Sequence, residues 1–440
     1  MASRVPTTAK VPEPATGNET DVGLDPGRMF RLPWTASDNA MTWFEPTRRC
    51  NITCDACFVT NDRSSDKSLA EIEHELDAVL RLRRCDALLV AGGEPLVHPE
   101  IVEIVRRVHR RGVKPVVITN GVRLDRPLLR ELVRAGAHGF TFHVDSHQHR
   151  PGWKDASESE LNQLRAHFAD MLREEGRLTC AFNTTVFPDT LDDVPAIVDW
   201  AVSVPDRVHV LTLIAVRMLE PDSPFEFWVG DAPIDVQSTP YVSNTPYSNL
   251  TTSELTAKIR EILPDFRFCA YLGGTVHPHA LKWVIGVRIG SSVRGYGYLG
   301  ARSMELLQNG HHALRGRYLA FSDPRSSRSG RAALLLGTFD RQVRRAAAKY
   351  GLGVVRSPRR LLERVHLQSI SVVQPVDLLP NGEADTCDGC PNRTFWEERL
   401  VPACKAEEYR LFGGPMHAVP RTRVRLPIAQ PGFERREPVH

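Results

Sequence analysis

Three cysteines stand in the run Cys50-Asn51-Ile52-Thr53-Cys54-Asp55-Ala56-Cys57, separated by three and then two residues. Thiolates at that spacing can ligate three irons of a four-iron cubane, which leaves the fourth iron open to a small molecule. Downstream, the apolar run Ala87-Leu88-Leu89-Val90 leads into Ala91-Gly92-Gly93-Glu94-Pro95. Two glycines let a backbone approach a ligand closely, and Glu94 offers an acceptor to an ammonium. A structural zinc site is the competing reading of the cysteines, but zinc wants four protein ligands. No nearby His or Cys supplies the fourth, since Cys85 falls in a helix-to-strand passage. Disulfides are disfavoured because the nine cysteines are an odd number and no apolar leader precedes them. These features point to a reducing, cytoplasmic setting, and no stretch reaches the roughly 18 apolar residues a membrane span requires.

The pairing of CxxxCxxC with Gly-Gly-Glu-Pro resembles the radical S-adenosylmethionine (radical SAM) superfamily. The resemblance implies a [4Fe-4S] cluster on Cys50, Cys54 and Cys57, with its open iron chelating the amino and carboxylate groups of SAM. It implies that the turn Gly92, Gly93, Glu94 contacts the same amino group, and that a flavodoxin or ferredoxin type protein delivers the electron. The expected chemistry is reductive cleavage of SAM to a 5′-deoxyadenosyl radical that takes hydrogen from an unactivated C–H bond. One departure stands out. The family pattern places an aromatic residue before the third cysteine, to pack on the adenine; here Ala56 holds that position and Phe58 follows the cysteine.

The elements that must position these residues are legible as alternating strand and helix signals. Six apolar runs read as strands: Met41 to Glu45, Ala87 to Ala91, Pro115 to Thr119, Gly139 to Asp145, Leu178 to Val186 and Val208 to Val216. Ser68 and Glu71 form a capping box ahead of Ile72, Leu76 and Val79 at helical spacing. Later helices are seeded by Ile101-Val105-Val108, Leu128-Leu132 and Leu161-Leu164-Phe168-Leu172. Parallel strands joined by helices need both faces covered, so the expected fold is α/β, a partial (βα)6 TIM-type barrel, in agreement with the resemblance. A basic α-rich insert and a small C-terminal Cys-rich extension follow it. The chain divides into a lead-in over 1–30, a barrel core over 38–220, a basic substrate or partner region over 221–370, a Cys-rich metal region over 371–415 and a tail over 416–440. The lead-in and tail have the composition of disordered segments.

Ligands of such barrels sit at the C-terminal strand ends. Thr119-Asn120-Gly121 ends the third strand with polar side chains that could reach a ribose. In the fourth, alternation puts Phe140, Phe142 and Val144 on the helix side and aims Thr141, His143 and Asp145 inward. Asn183 and Thr185 point inward from the fifth by the same rule. The resemblance carries SAM contacts over to Asp145, Ser146 and Asn183. His143, His147 and His149 could suggest a further metal, a reading disfavoured because it would compete with SAM for space.

Cys387-Asp388-Gly389-Cys390, with Cys404 shortly after, supplies three more thiolates, and Cys269 is the candidate fourth. This resembles the auxiliary-cluster extensions (twitch or short SPASM type) found behind many radical SAM barrels, so a second iron-sulfur cluster is expected, with a zinc ribbon as the alternative. Charge is uneven: from Leu281 to Ile370 there are 17 Lys and Arg against 4 acids, a net +13 where the whole chain is +3. Such a block attracts anions. Its apolar helical pieces, Leu335-Phe339-Val343 beside Arg341, Arg344 and Arg345, suit phospholipid head groups or peripheral membrane contact. The scarcity of aromatics argues against nucleic acid. The expected substrate is therefore anionic and lipid-like or phosphate-bearing. A ribosomal-peptide maturase is the alternative within the class, weakened by the short stretch ahead of Cys50, which also leaves no room for a cobalamin domain. A non-catalytic SAM and cluster-binding sensor or scaffold is the alternative outside it.

Overall fold

The computed structural model describes residues 24–220, 222–242, 249–321 and 330–421. Most of the expected lead-in and tail, together with Arg325 and Arg328 of the basic segment, lie outside the described residues; the start of the expected tail is instead ordered, since His417–Pro420 forms a strand paired antiparallel with Phe225–Val229.

After a short strand β1 (Phe30–Arg31), the six expected runs form β2 (Met41–Thr47), β3 (Ala87–Gly92), β4 (Lys114–Thr119), β5 (Gly139–His143), β6 (Thr179–Val186) and β7 (Val210–Ala215). Each pairs in parallel with the next, in chain order. The crossover helices are α1 (Leu69–Leu82), α2 (Ile101–Arg110), α3 (Arg126–Arg134), α4 (Glu158–Glu175) and α5 (Val194–Ser203). The Ser68 and Glu71 capping box forms: Glu71 N–H donates to Ser68 Oγ and Ser68 N–H to Glu71 Oε2, at 3.3 and 2.7 Å. Strand alternation splits the core into two layers. Leu88, Val90, Phe140, Phe142 and Phe182 pack outward against the helices, whereas Trp43, Ala87, Leu89, Ala91 and Val116 pack inside the barrel.

The expected insert is more than helical. Besides α6 (Thr252–Ile262) and α7 (Ala301–Arg315), it contributes a hairpin β8 (Phe225–Val229) and β9 (Ala232–Ile234), and the sheet strands β10 (Ala270–Leu272), β11 (Trp283–Gly290) and β12 (Gly295–Tyr298). Strand β13 (His366–Val373) runs parallel beside β7, β11 antiparallel beside β13, and β10, β1 and β12 complete the sheet. Leu272, Val287 and Ile289 at this end share the inner core with Trp43 and Leu89 at the other, so the sheet curls on itself. The Cys-rich segment occupies the seam between those ends. Cys387 bridges to Gly274 just beyond β10, and Asn39 Nδ2 and Thr42 Oγ1 on the β2 side donate to the carbonyls of Gly389 and Arg393 at 2.9 and 3.2 Å.

Beyond β11 the basic segment lies under the opposite, N-terminal end of the barrel strands, whereas Lys282, its first cation, is buried at the other end beside Asp377 and Cys387. Lys114 Nζ and His138 Nε2 donate to the carbonyls of Ala320 and Phe321 at 2.9 Å each, and Ala320 N–H donates to Asp86 Oδ2 at 3.0 Å. A helix α8 (Arg341–Arg356) covers β12 at this end: Ala346 lies where a side chain at Gly297 would stand.

Candidate cluster and cofactor site at the barrel mouth

The cysteine loop leaves β2 and is tied down residue by residue. Arg48 N–H donates to Ser65 Oγ at 2.8 Å, and the Arg48 and Arg49 side chains pair with Asp62 and Asp66 at 2.6 Å each. Cys50 N–H donates to Asn61 Oδ1 at 3.0 Å. The three thiols share one electrostatic neighbourhood. Burial pushes Cys50 and Cys57 up, and it pushes Cys54 up strongly, with Cys57, Asp145 and Cys50 adding to the effect. Thiols in this state need a metal to be held as thiolates, because a bound cation deprotonates them outright. Ala56 takes a left-handed φ of +54°. Phe58 turns inward onto Trp43, with ring centroids 6.3 Å apart.

Gly92 and Gly93 admit the cysteine loop itself. A Cβ on Gly92 would stand 2.3 Å from the Thr47 carbonyl oxygen, and one on Gly93 would stand 2.5 Å from those of Arg48 and Arg49. Gly93 N–H and Glu94 N–H donate to Thr47 O and Arg49 O at 3.0 and 2.8 Å. The sequence reading assigned this freedom to ligand approach; here the approaching backbone is that of the cluster loop. Glu94 is fully buried. Its carboxylate accepts from Thr119 Oγ1 and Asn120 N–H at 2.6 Å each and from Leu96 N–H at 3.0 Å. Burial raises its pKa against those three bonds and Arg150. A carboxylate has about four acceptor sites, so one, on Oε2, is left for an ammonium.

Asn120 Nδ2 lies 3.8 Å from Cys50 Sγ and donates to Asn51 Oδ1 at 2.8 Å. At the end of β5, Asp145 accepts from His147 N–H at 3.1 Å and Thr185 N–H at 3.3 Å, and His143 Nε2 lies 3.0 Å from its Oδ2. Ser146 N–H donates to Glu158 Oε1 at 2.6 Å. Asn183 pairs in register with His143 and is half-buried between the buried Phe182 and Thr184, as the alternation requires. Asp55, inside the cysteine loop, takes His147 Nδ1 at 2.9 Å and His149 Nε2 at 3.0 Å, so two of the three histidines fasten the cluster loop to the β5 loop.

One residue escaped the sequence reading. Arg150 is almost wholly buried. Its guanidinium donates to the carbonyls of Asn120 and His143 and to Gln148 Oε1; burial lowers its pKa, and Asp145, Cys54 and Glu94 are the groups whose charge opposes that. Its Nε has no partner among the described residues, so a buried cationic donor is left beside the cysteines. The available signal was the polar run from Ser146 to Arg150 directly after an inward-facing strand end.

The C-terminal cysteines divide. A hydrogen bond between the thiols of Cys387 and Cys390 raises the former and brings the latter down to about 7; burial followed by the charge of Cys390 pushes Cys404 up to about 12. Cations surround them: the wholly buried Lys282 faces Cys387, Arg393 and Arg83 face Cys390, and Lys405 faces Cys404. Cys269 is set apart. Its thiol donates to the Ile285 carbonyl at 3.2 Å within the inner apolar core, and burial raises it to about 12 with none of the other cysteines contributing. Among the described residues no three His, Cys, Asp or Glu side chains already converge as donors to a single ion, and a cubane spaces its cysteines wider than one zinc does. A cavity of about 180 Å³ opens beside Cys404 beyond the C-terminal end of β7, walled by Met218, Leu219, Phe227 and Met416, with Arg217 and Lys405 among its polar lining.

The parallel strands of the barrel thus carry three thiols and a buried carboxylate together at their mouth. Residues 44–201 match the radical SAM superfamily, and this stretch is a radical SAM domain, a kind of domain whose cofactors are a [4Fe-4S] cluster and SAM. It is 35% identical over 19% of its length to the S-adenosylmethionine-dependent nucleotide dehydratase of Selenomonas ruminantium, covering 30% of that protein. Over 41% of its length it is 30% identical to the GTP 3′,8-cyclase of Chlorobaculum tepidum, covering 54% of it. The chain thus spans a third to a half of these curated relatives. Among solved structures, that of Streptococcus suis SuiB bound to S-adenosylmethionine aligns with 12% identity and a TM-score of 0.37, covering 52% of this chain and 48% of that one.

Proposed function

We propose that this protein is a radical SAM enzyme acting on an unactivated C–H bond of a substrate held in the cavity beside Cys404. When bound, the cluster and SAM supply a one-electron cleavage that yields methionine and a 5′-deoxyadenosyl radical able to take a hydrogen atom. The observation that carries the reading is the junction of Cys50, Cys54 and Cys57 with the remaining acceptor site of Glu94 and the unpartnered Nε of Arg150. An α-amino acid has an ammonium and a carboxylate, and these two groups complement them. Asn120, Asp145, Ser146 and Asn183 line the strand ends where ribose and methionyl groups would lie.

The cavity favours a substrate with an apolar body against Met218, Phe227 and Met416 and an anionic group toward Arg217 and Lys405. Both cations are paired with carboxylates that line the same cavity, Asp377 and Glu408, so an anionic group would bind only by sharing or displacing those pairs. Apart from the buried Lys282, which pairs with Asp377, the basic segment does not reach this mouth, so the support for a lipid-like substrate is the apolar wall of the cavity. We further infer that Cys387, Cys390 and Cys404 hold a second iron-sulfur cluster, the four surrounding cations compensating its thiolates.

The test is anaerobic incubation of iron-reconstituted protein with SAM and dithionite. Formation of 5′-deoxyadenosine is expected; none from protein carrying its full complement of iron would overturn the proposal.

A further inference from the structure

The lobe from Gly330 to Arg364 leaves unusual side chains in water. Leu335, Phe339, Leu352, Val355, Leu361 and Leu362 are between 53% and 84% exposed. Nine of the twelve exposed large hydrophobics among the described residues fall between Val293 and Leu362, so they are concentrated, whereas singly scattered ones would need no explanation. Helix α8 shows the pattern most clearly. Val343 and Ala346 are buried and Gly353 packs against the Arg360 side chain, while Ala348, Leu352 and Val355 recur at helical spacing on the exposed side, flanked by Arg345, Lys349 and Arg356.

Nine Lys and Arg lie between Gly330 and Arg364 against two acids, and both acids are engaged. Asp340 is buried and caps α8, accepting from Gln342 N–H at 2.8 Å and Ser303 Oγ at 2.8 Å. Glu363 pairs with Arg294 and accepts from Tyr296 Oη at 2.8 Å. Arg341, Arg344, Arg345, Lys349, Arg356 and Arg359 form no ion pair among the described residues and stand exposed.

We propose that this face docks the protein onto an anionic phospholipid surface, the aliphatic side chains entering the interface while the basic ones meet the head groups. A second copy of the chain is a poor occupant, because a two-fold contact would place the patch against itself and oppose its like charges. Nucleic acid would leave the exposed leucines without a role and finds one exposed aromatic, Phe339, to stack on. The lobe lies under the N-terminal strand ends, so docking turns the barrel mouth away from the bilayer. The surface therefore tethers the enzyme and is independent of the substrate and of the radical chemistry.

The test is co-sedimentation of the full-length protein with phosphatidylglycerol-containing and pure phosphatidylcholine vesicles at about 0.15 M salt. Retention on the anionic vesicles is expected to exceed that on neutral ones by about tenfold or more, and to fall about tenfold in the triple variant Leu352→Ser, Val355→Ser, Leu362→Ser and in Arg344→Gln, Arg345→Gln, Lys349→Gln. Both variants are expected to keep the wild-type rate of 5′-deoxyadenosine formation, which separates a lost surface from a damaged fold. Equal retention on both vesicle types, or retention of the aliphatic variant at the wild-type level, would overturn the proposal. So would selective capture by DNA or by an acidic protein without vesicle binding.

Discussion

Replacing Glu94 by Gln separates its two jobs. The carboxylate accepts three bonds inside the protein, two on Oε1 and one on Oε2. An amide presents one oxygen, which can keep Thr119 Oγ1 and Leu96 N–H, but its NH2 then confronts the Asn120 N–H donor to donor. A buried donor without a partner costs about 1–3 kcal/mol, so the unfolding free energy of cluster-free protein should fall by that amount, seen as a lower urea midpoint. The same substitution removes the charged acceptor offered to the SAM ammonium, a bond of about 1.5–3 kcal/mol, so SAM affinity should fall about ten- to hundredfold. The first effect is read by urea unfolding of the apoprotein, the second by anaerobic equilibrium binding to reconstituted protein with its iron content checked. Loss of stability at unchanged SAM affinity would confine Glu94 to clamping the Thr119–Asn120 turn, and no change in either would refute the reasoning.

Gly93→Ala should displace the cysteine loop, since its Cβ would lie 2.5 Å from two carbonyl oxygens; an overpacking cost of about 1–3 kcal/mol and reduced iron loading are expected, and normal loading would show that the loop can yield. Substituting Cys50, Cys54 and Cys57 together by Ala should abolish SAM cleavage but leave about four irons on the C-terminal cysteines; a colourless, zinc-loaded variant would replace the second cluster with a zinc site. Adding Cys404→Ala should remove those irons, whereas Cys269→Ala should leave them and cost only packing, about 1 kcal/mol. Burial pushes Asp377 up, but Arg217 and Lys282 outweigh it and hold the carboxylate below its ordinary value of 3.8. Its contribution is therefore complete above about pH 4 and is lost as the pH falls through the folded-state value. The gap in urea midpoint between wild type and Asp377→Asn should narrow from pH 7 toward pH 3, and a constant gap would contradict the pairing.

The six barrel strands were legible because a parallel strand covered on both faces is an almost unbroken apolar run. The strands of the insert were not. β10 has only three residues, and β11 and β12 are interrupted by Gly286, Gly290, Gly295 and Gly297 and carry the buried Arg288. Gly286 is there because Phe266 and the Arg267 carbonyl occupy the space of a side chain, a reason that exists only in three dimensions. Local spacing grouped Cys387 with Cys390, yet it could not decide on Cys269, whose distance from them depends on how the sheet curls. Arg150 was missed for a related reason: it has no periodic partner, and its role appears only once the ends of β4 and β5 meet around it.

At the mouth, protein contacts already fix the elements that the cofactors must join. Asp55 fastens the cysteine loop to the β5 loop through His147 and His149, Glu94 fastens β3 to the end of β4, and Arg150 spans from Asn120 to His143. A second network runs from Trp43 Nε1 to Glu45 Oε1, from Glu45 to Arg410, and from Arg410 to Glu407, whose charge reaches Cys57. The C-terminal extension is thus held against the cluster loop by buried polar groups, which cost the most when left unmatched. A displacement of Cys404 and its cavity would strand those groups, so the position of the cavity relative to the first cluster is specified by the fold before any cofactor binds.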